Sequence, residues 1–255
     1  MSRVLRFFSD YSGAILLLVG LIAFYCYGTT HGIIRSFLFP TPAKMQSSFA
    51  KYYPEMLAGM IYSFKLLFPS LALSTVLALV IGIPMGLFKG LRAALYPIVY
   101  ALGVIPIVLI PPFAIHIFAS FKVTTVFLVV FGATWGTLFG TITGVETVDR
   151  RYLDNAAALE IRGLERLFRV ILPAAMPTIL AGFVTSLRSS FLVLIYAEMF
   201  GAKNGMGRFI QYNTMNFDYT NVMTGTIFLA VVLVMVMILF ERLKDRALKW
   251  TISSE

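Results

Sequence analysis

Asp154–Pro173 reads DNAAALEIRGLERLFRVILP, a polar, charged stretch lying between long apolar runs. Ala156, Ala157 and Ala158 have high helix propensity and no bulk, so a helix here lets another surface come close to its backbone. Asp149 or Asp154 caps its start, a carboxylate accepting from a free N–H of the first turn. Gly163 is placed to end it in a left-handed conformation. A second amphipathic piece (Leu164, Leu167, Phe168, Ile171) then runs to Pro173, which is expected to stop it. The pattern alone leaves two readings open: an interfacial loop without a partner, or a helix built for docking.

The flanks decide the class. The chain has 255 residues, 59% of them hydrophobic and 13% charged, with a mean hydropathy of +0.85. Soluble chains carry about 25% charged residues. Several runs approach the roughly 20 apolar residues that span the hydrocarbon as helix, and none alternates as a barrel strand does. The expected fold class is an all-α polytopic membrane protein. A net charge of +9 is then read as basic loops held on the inner side, with no nucleic-acid partner. Cys26 alone offers no disulfide, and His31 and His116 are too few for a metal cluster.

Six spans are expected. They cover about 13–27, 55–88, 94–120, 124–145, 177–200 and 222–240, with a short interfacial helix before Pro54. The first span reads as retained, because no small-x-small cleavage site follows it. The second is too long to lie wholly in the membrane, and the third is interrupted by Pro106, Pro111 and Pro112. With the N-terminus inside, 13 of the 21 basic residues fall on inner segments and seven on outer ones, with Arg188 inside a span. Both termini and the loop 146–175 are therefore expected in the cytoplasm. The domain reading is a terminal helix and external segment over 1–53, then a core over 54–250.

The loop resembles the EAA loop of permease subunits of binding-protein-dependent ABC importers. Counting back from Leu172-Pro173, the opening triplet is Asp154-Asn155-Ala156 and the glycine position holds Glu160, with Gly163 expected to take over the turn. Gly82-Ile83-Pro84-Met85-Gly86, Pro106 and Pro111, Ala197-Glu198 and Gly205-Met206-Gly207 are similar to elements of the taurine, aliphatic sulfonate, nitrate and bicarbonate branch.

This resemblance implies a type I importer permease with six transmembrane helices and a cytoplasmic coupling helix. It sits in a bacterial inner membrane as two copies forming one pathway, with lipid around them. Two ATPase subunits drive it, and an external binding protein, periplasmic or lipid-anchored, delivers the solute. The chain itself is not an enzyme and binds no cofactor; ATP and Mg²⁺ belong to the ATPases, and no G-x-x-x-x-G-K-[ST] loop occurs here. The coupling residues implied are Asp154, Asn155, Ala156, Ala157, Glu160, Arg162 and Gly163, with Glu165 as a further polar contact.

Arg188 falls near the middle of the fifth span, where a bare guanidinium is costly. It either binds an anionic substrate bidentately or is satisfied by carbonyls and hydroxyls of a neighbouring span. Ser186, Ser189 and Ser190 surround it. His116 is either pathway-lining or a buried, hydrogen-bonded histidine. Glu198, Gly205 and Gly207 are assigned to the external gate and the binding-protein contact, with Lys203 or Arg208 as possible partners of Glu198. The expected solute is small and anionic, a neutral heterocycle being the alternative. An ATP-independent carrier or channel leaves the EAA likeness unexplained. A membrane enzyme lacks clustered nucleophiles or ligands.

Overall fold

Proline decides where this chain bends and where it does not. In the computed structural model, which describes residues 12–35, 37–118 and 120–249, α1 spans Ser12–Thr30 and α2 spans Pro42–Leu87. Arg3 and Arg6, which anchor the inside reading of the N-terminus, and Trp250 lie outside the described residues. α2 has 46 residues and so a length of about 70 Å, more than twice a hydrocarbon core. The expected break at Pro54 is absent. Pro54 and Ala50, whose carbonyl loses its donor, both lie on the exposed face of α2, so no buried acceptor is orphaned.

The expected third span is not a continuous helix. α3 (Lys89–Val104) ends at Ile105, which is extended at φ −61°, ψ 122°, the conformation imposed on a residue preceding proline. A 3₁₀ turn over Ile107–Leu109 follows, and then α4 (Pro111–Ile117), with Pro111 in its first turn, where no N–H is needed. α5 (Phe121–Glu146), α6 (Arg150–Ala158) and α7 (Gly163–Arg166) come next. A π turn over Leu167–Ile171 then leads into α8 (Leu172–Met199). The wider turn bonds Leu172 N–H to the Leu167 carbonyl. Pro173 therefore opens α8 instead of stopping the helix. α9 (Met206–Met215) and α10 (Tyr219–Ala247) complete the chain.

Among the described residues, four helical stretches are long and apolar enough to cross a membrane: Pro42–Leu87, Phe121–Glu146, Gly163–Met199 and Tyr219–Ala247. Leu16–Thr30 is a shorter apolar helix. Among the described residues the regular structure is helical throughout.

The chain forms two compact units. One joins the described residues up to Leu57 with Phe209–Phe228. A polar chain, buried at Ser48, Asn213 and Asn221 and reaching the exposed Asp218, organises it: Ser48 Oγ donates to Asn221 Oδ1 at 2.6 Å, and Asn221 Nδ2 donates to Asn213 Oδ1 at 3.0 Å and to Asp218 Oδ2 at 2.9 Å. Each amide is satisfied, so the cluster can hold one register in an apolar surround.

The other unit holds Ala58–Arg208 and the residues from Leu229 on. Its core packs Leu67 and Leu71 of α2, Leu128, Val129 and Ala133 of α5, and Leu187 and Leu194 of α8. Gly132, Gly136, Gly140 and Gly144 recur every fourth residue along α5, the spacing that lets two helix backbones meet without side chains between them. A Cβ on Gly182 of α8 would lie 2.5 Å from the Gly136 carbonyl. Gly82 and Gly86 likewise set α2 against Thr141 and Val145 of α5, which is the packing role of the GIPMG element.

Candidate functional site: coupling helix, cleft and external clamp

The helix expected to couple starts at the earlier of its two candidate caps and does not end at Gly163. Asp149 is the cap: its Oδ1 accepts from Arg151 N at 2.9 Å, and its Oδ2 pairs with Arg151 Nη2 at 2.8 Å. That side-chain hydrogen bond holds the Asp149 carboxyl below the ordinary carboxylate range. Asp154 and Asn155 therefore fall within α6.

Glu160, not Gly163, takes the left-handed position after the helix, at φ 58°. Ile161 N donates to Ala156 O at 2.9 Å and Glu160 N to Ala157 O at 3.0 Å, the paired bonds of a Schellman closure. Gly163 is also left-handed, at φ 58°, but it starts α7. Glu160 thus adopts the backbone that the resembled pattern gives to glycine.

Ala156 is buried, whereas Asp154, Asn155, Ala157, Glu160, Arg162 and Gly163 are exposed. Glu165 is engaged within the chain, pairing with Arg169 at 2.7 Å. Tyr152, Leu159, Leu164 and Phe168 stand beside them, more than half exposed. A cleft of about 250 Å³ opens between α6 and the π turn, lined by Tyr152, Asn155, Leu159, Arg169, Val170 and Pro173. Sequence reading missed Tyr152 and Leu159 as surface residues because apolar residues at helical spacing read first as core.

The proposed pathway residues are not gathered in one place. Arg188 is exposed on the single chain, and so is His116, whose Nδ1 lies 2.6 Å from Pro112 O. On the single chain, then, His116 is hydrogen-bonded but not buried. Ser186 is buried and accepts from Thr137 N at 2.8 Å and Thr137 Oγ1 at 2.9 Å, so it ties α8 to α5. Ser189 lines a cleft of about 460 Å³ with Trp135, Tyr196, Ile107, Leu192 and Val193. No charged side chain lines that cleft.

The residues expected at the external gate do converge. Glu198 is fully buried. Ser63 Oγ reaches both its oxygens, at 2.7 and 3.0 Å, and Gly207 N donates to Oε2 at 2.9 Å. Met206 N donates to Ser63 Oγ at 3.1 Å, closing the ring. Gly205, at φ +117°, has no room for a side chain because a Cβ would fall on the Glu198 carboxyl. A Cβ on Gly207 would strike the Ile195 carbonyl. Glu198 is therefore held by neutral donors, and both glycines are required by space. Ser63 gave no sequence signal, since 135 residues separate it from Glu198.

Residues 74–250 match the profile of the binding-protein-dependent transport system inner membrane component. The chain belongs to this permease family. It is 30% identical over 227 residues to the putative aliphatic sulfonates transport permease protein SsuC of Bacillus subtilis, covering 88% of this chain and 82% of that one. It is 28% identical over 149 residues to the nitrate import permease protein NrtB of Leptolyngbya laminosa, covering 56% and 53%. In fold, the permease is similar to a chain of the MetNI methionine ABC transporter in an inward-facing conformation, at a TM-score of 0.62 and 17% identity over 77% of this chain and 98% of that one. An amino acid ABC transporter gives a TM-score of 0.56 at 18% identity, covering 78% and 94%.

Proposed function

We propose that this permease is the membrane subunit of an ATP-driven importer, taking a small anionic solute from an external binding protein. Two copies form the pathway, residues 54–250 make the core, and both termini and the loop 146–175 face the cytoplasm. Two ATPase subunits, which bind the ATP and Mg²⁺, dock on α6.

The observation that carries this reading is the exposed, Schellman-closed α6, with Tyr152 and Leu159 beside a cleft. A short rigid helix with an uncovered apolar rim can pass a rigid-body motion to a bundle that has two packings. Anionic cargo is supported by Arg188, an exposed guanidinium on a membrane helix that needs an oxyanion, water or a second copy against it. The relatives handling sulfonates and nitrate move oxyanions. In this reading Arg188, Ser189 and His116 face the pathway, and the clamp of Glu198, Gly205 and Gly207 shapes the external mouth where the binding protein delivers.

One observation favours a different cargo. The cleft beside Trp135 and Tyr196 has no charged lining, which suits a neutral or heterocyclic metabolite.

The test is ATPase activity of the complex co-expressed with its neighbouring ATPase and binding-protein genes, screened against sulfonates, nitrate, bicarbonate and thiamine-precursor pyrimidines. Stimulation by an oxyanion-loaded binding protein supports the first cargo, and stimulation only by a neutral ring supports the second. A permease that transports with no ATPase bound overturns the importer.

A further inference from the structure

Arg92 and Arg166 line one cleft of about 470 Å³, with Lys89, Glu146, Leu153 and Ile171 also in its wall. Arg92 Nη2 pairs with Glu146 Oε1 at 2.8 Å. Arg92 Nη1 and Arg166 Nε are sealed from solvent and have no acceptor among the described residues. Buried charged donors are normally hydrogen-bonded, and here two guanidiniums fall short in the same cleft. Three cations face a single carboxylate there, and that carboxylate already serves one of them.

The excess positive charge of the cleft has a chemistry to match it. Guanidinium forks match the tetrahedral oxygens of a phosphate, and the ammonium of Lys89 adds a point charge. The rest of the wall is apolar, including Leu87, Val145 and Val148, so the occupant carries hydrocarbon next to its anion. The cytoplasmic placement of Lys89, Arg92 and Glu146–Ala175 puts this cleft at the level of the inner-leaflet headgroups. We propose that it binds the phosphate of an anionic phospholipid, whose charge answers the excess of Lys89, Arg92 and Arg166 over Glu146 in this cleft. The inference rests on the topology given above. Such a lipid bridges the start of α3, the end of α5 and the root of α7, so it braces the base on which α6 stands.

The experiment uses the full permease–ATPase complex, delipidated in detergent and titrated with phosphatidylglycerol, phosphatidylcholine or inorganic phosphate, with bound species counted by native mass spectrometry. Phosphatidylglycerol should bind roughly tenfold more tightly than phosphatidylcholine, as expected for several cations near one headgroup. Arg166→Gln should erase that preference while the ATPase still co-purifies. Lys89→Gln, at an exposed position, should reduce it in part, and Glu146→Gln, which removes the competing carboxylate, should sharpen it.

Equal binding of the two lipids, or a preference that survives both cation variants, overturns the site. Displacement of the lipid by inorganic phosphate at matched concentration overturns the lipid assignment in favour of a free anion. Loss of ATPase co-purification in Arg166→Gln with lipid binding unchanged overturns it in favour of a carboxylate on the ATPase. A phosphatidylglycerol preference in a wild-type permease that binds no ATPase supports the site and removes the importer reading instead.

Discussion

Ser63 of α2 donates a 2.7 Å hydrogen bond to Glu198 of α8, which joins two helices through residues 135 apart in the chain. The same side chain receives Gly207 N–H, so one buried carboxyl group joins α2, the end of α8 and the start of α9. Breaking one donor leaves the other, which makes the two losses separable.

Ser63→Ala removes both its donation to Glu198 and its acceptance from Met206 N–H and should lower stability by about 1–2 kcal/mol, since each hydrogen bond within a membrane protein contributes up to about 1 kcal/mol. Gly207→Ala should cost more, because its Cβ meets the Ile195 backbone carbonyl, which cannot move aside as a side chain can. Thermal melting of the complex in detergent reads both, and the expected order is Gly207→Ala below Ser63→Ala below wild type. Equal melting of all three would remove the clamp.

The α5–α8 crossing makes a second prediction. Gly182→Ala forces a methyl against the Gly136 carbonyl and should destabilise by about 1–3 kcal/mol, the usual range for overpacking. Gly90→Ala is the control, since nothing lies within 4 Å of that added Cβ. It should melt at or slightly above wild type, because alanine is the better helix former.

Glu160 carries backbone strain at φ 58°. Glu160→Gly should raise the stability of the loop by about 1 kcal/mol, the cost of a left-handed residue with a Cβ. Hydrogen exchange at Ile161 N–H, the outer bond of the closure, should slow accordingly. Unchanged or faster exchange would show that the Glu160 side chain compensates.

The proposed docking of the ATPase on α6 should depend on the cap of that helix and on its small face. Ala157→Arg should abolish ATPase co-purification while membrane insertion stays normal. Asp149→Ala should weaken co-purification, whereas Asp149→Asn, which still caps, should not. Asp149 has a lowered pKa in the fold, so its contribution is fully present above its unfolded value near 4. It is lost only as pH falls through the lower folded value. Co-purification should therefore show no Asp149-dependent change between about pH 5 and 8.

Arg188→Gln should lose substrate-stimulated uptake while keeping assembly, if the guanidinium meets an anion in the pathway. Normal uptake with a normal half-saturation concentration would reassign Arg188 to packing against the second copy.

Much of the coupling segment was legible because its signals are local. A cap, an alanine triplet and a Leu-Pro stop sit within 25 residues or so, and helix geometry couples only neighbours three or four apart. Even there, the register shifted. Asp149 outcompeted Asp154 as the cap, Glu160 took the left-handed turn in place of Gly163, and the π turn let the helix run through Pro173. The glycine repeat of α5 was present in the sequence at a regular spacing, yet its partner Gly182 was not marked by any local pattern.

The sequence by itself determined what short-range chemistry determines: a helical membrane protein, an Ala-rich helix between apolar runs, and a break at Pro106, where a missing N–H and a proline ring act on their own neighbours. Only the tertiary structure decided that Pro54 bends nothing off, that Ser63 and Gly207 hold Glu198, and that Arg92 and Arg166 share a cleft. Those outcomes depend on which backbone groups are buried and which partners lie across the bundle. Burial and partnership of that kind follow from the packing of distant segments, which no local spacing encodes.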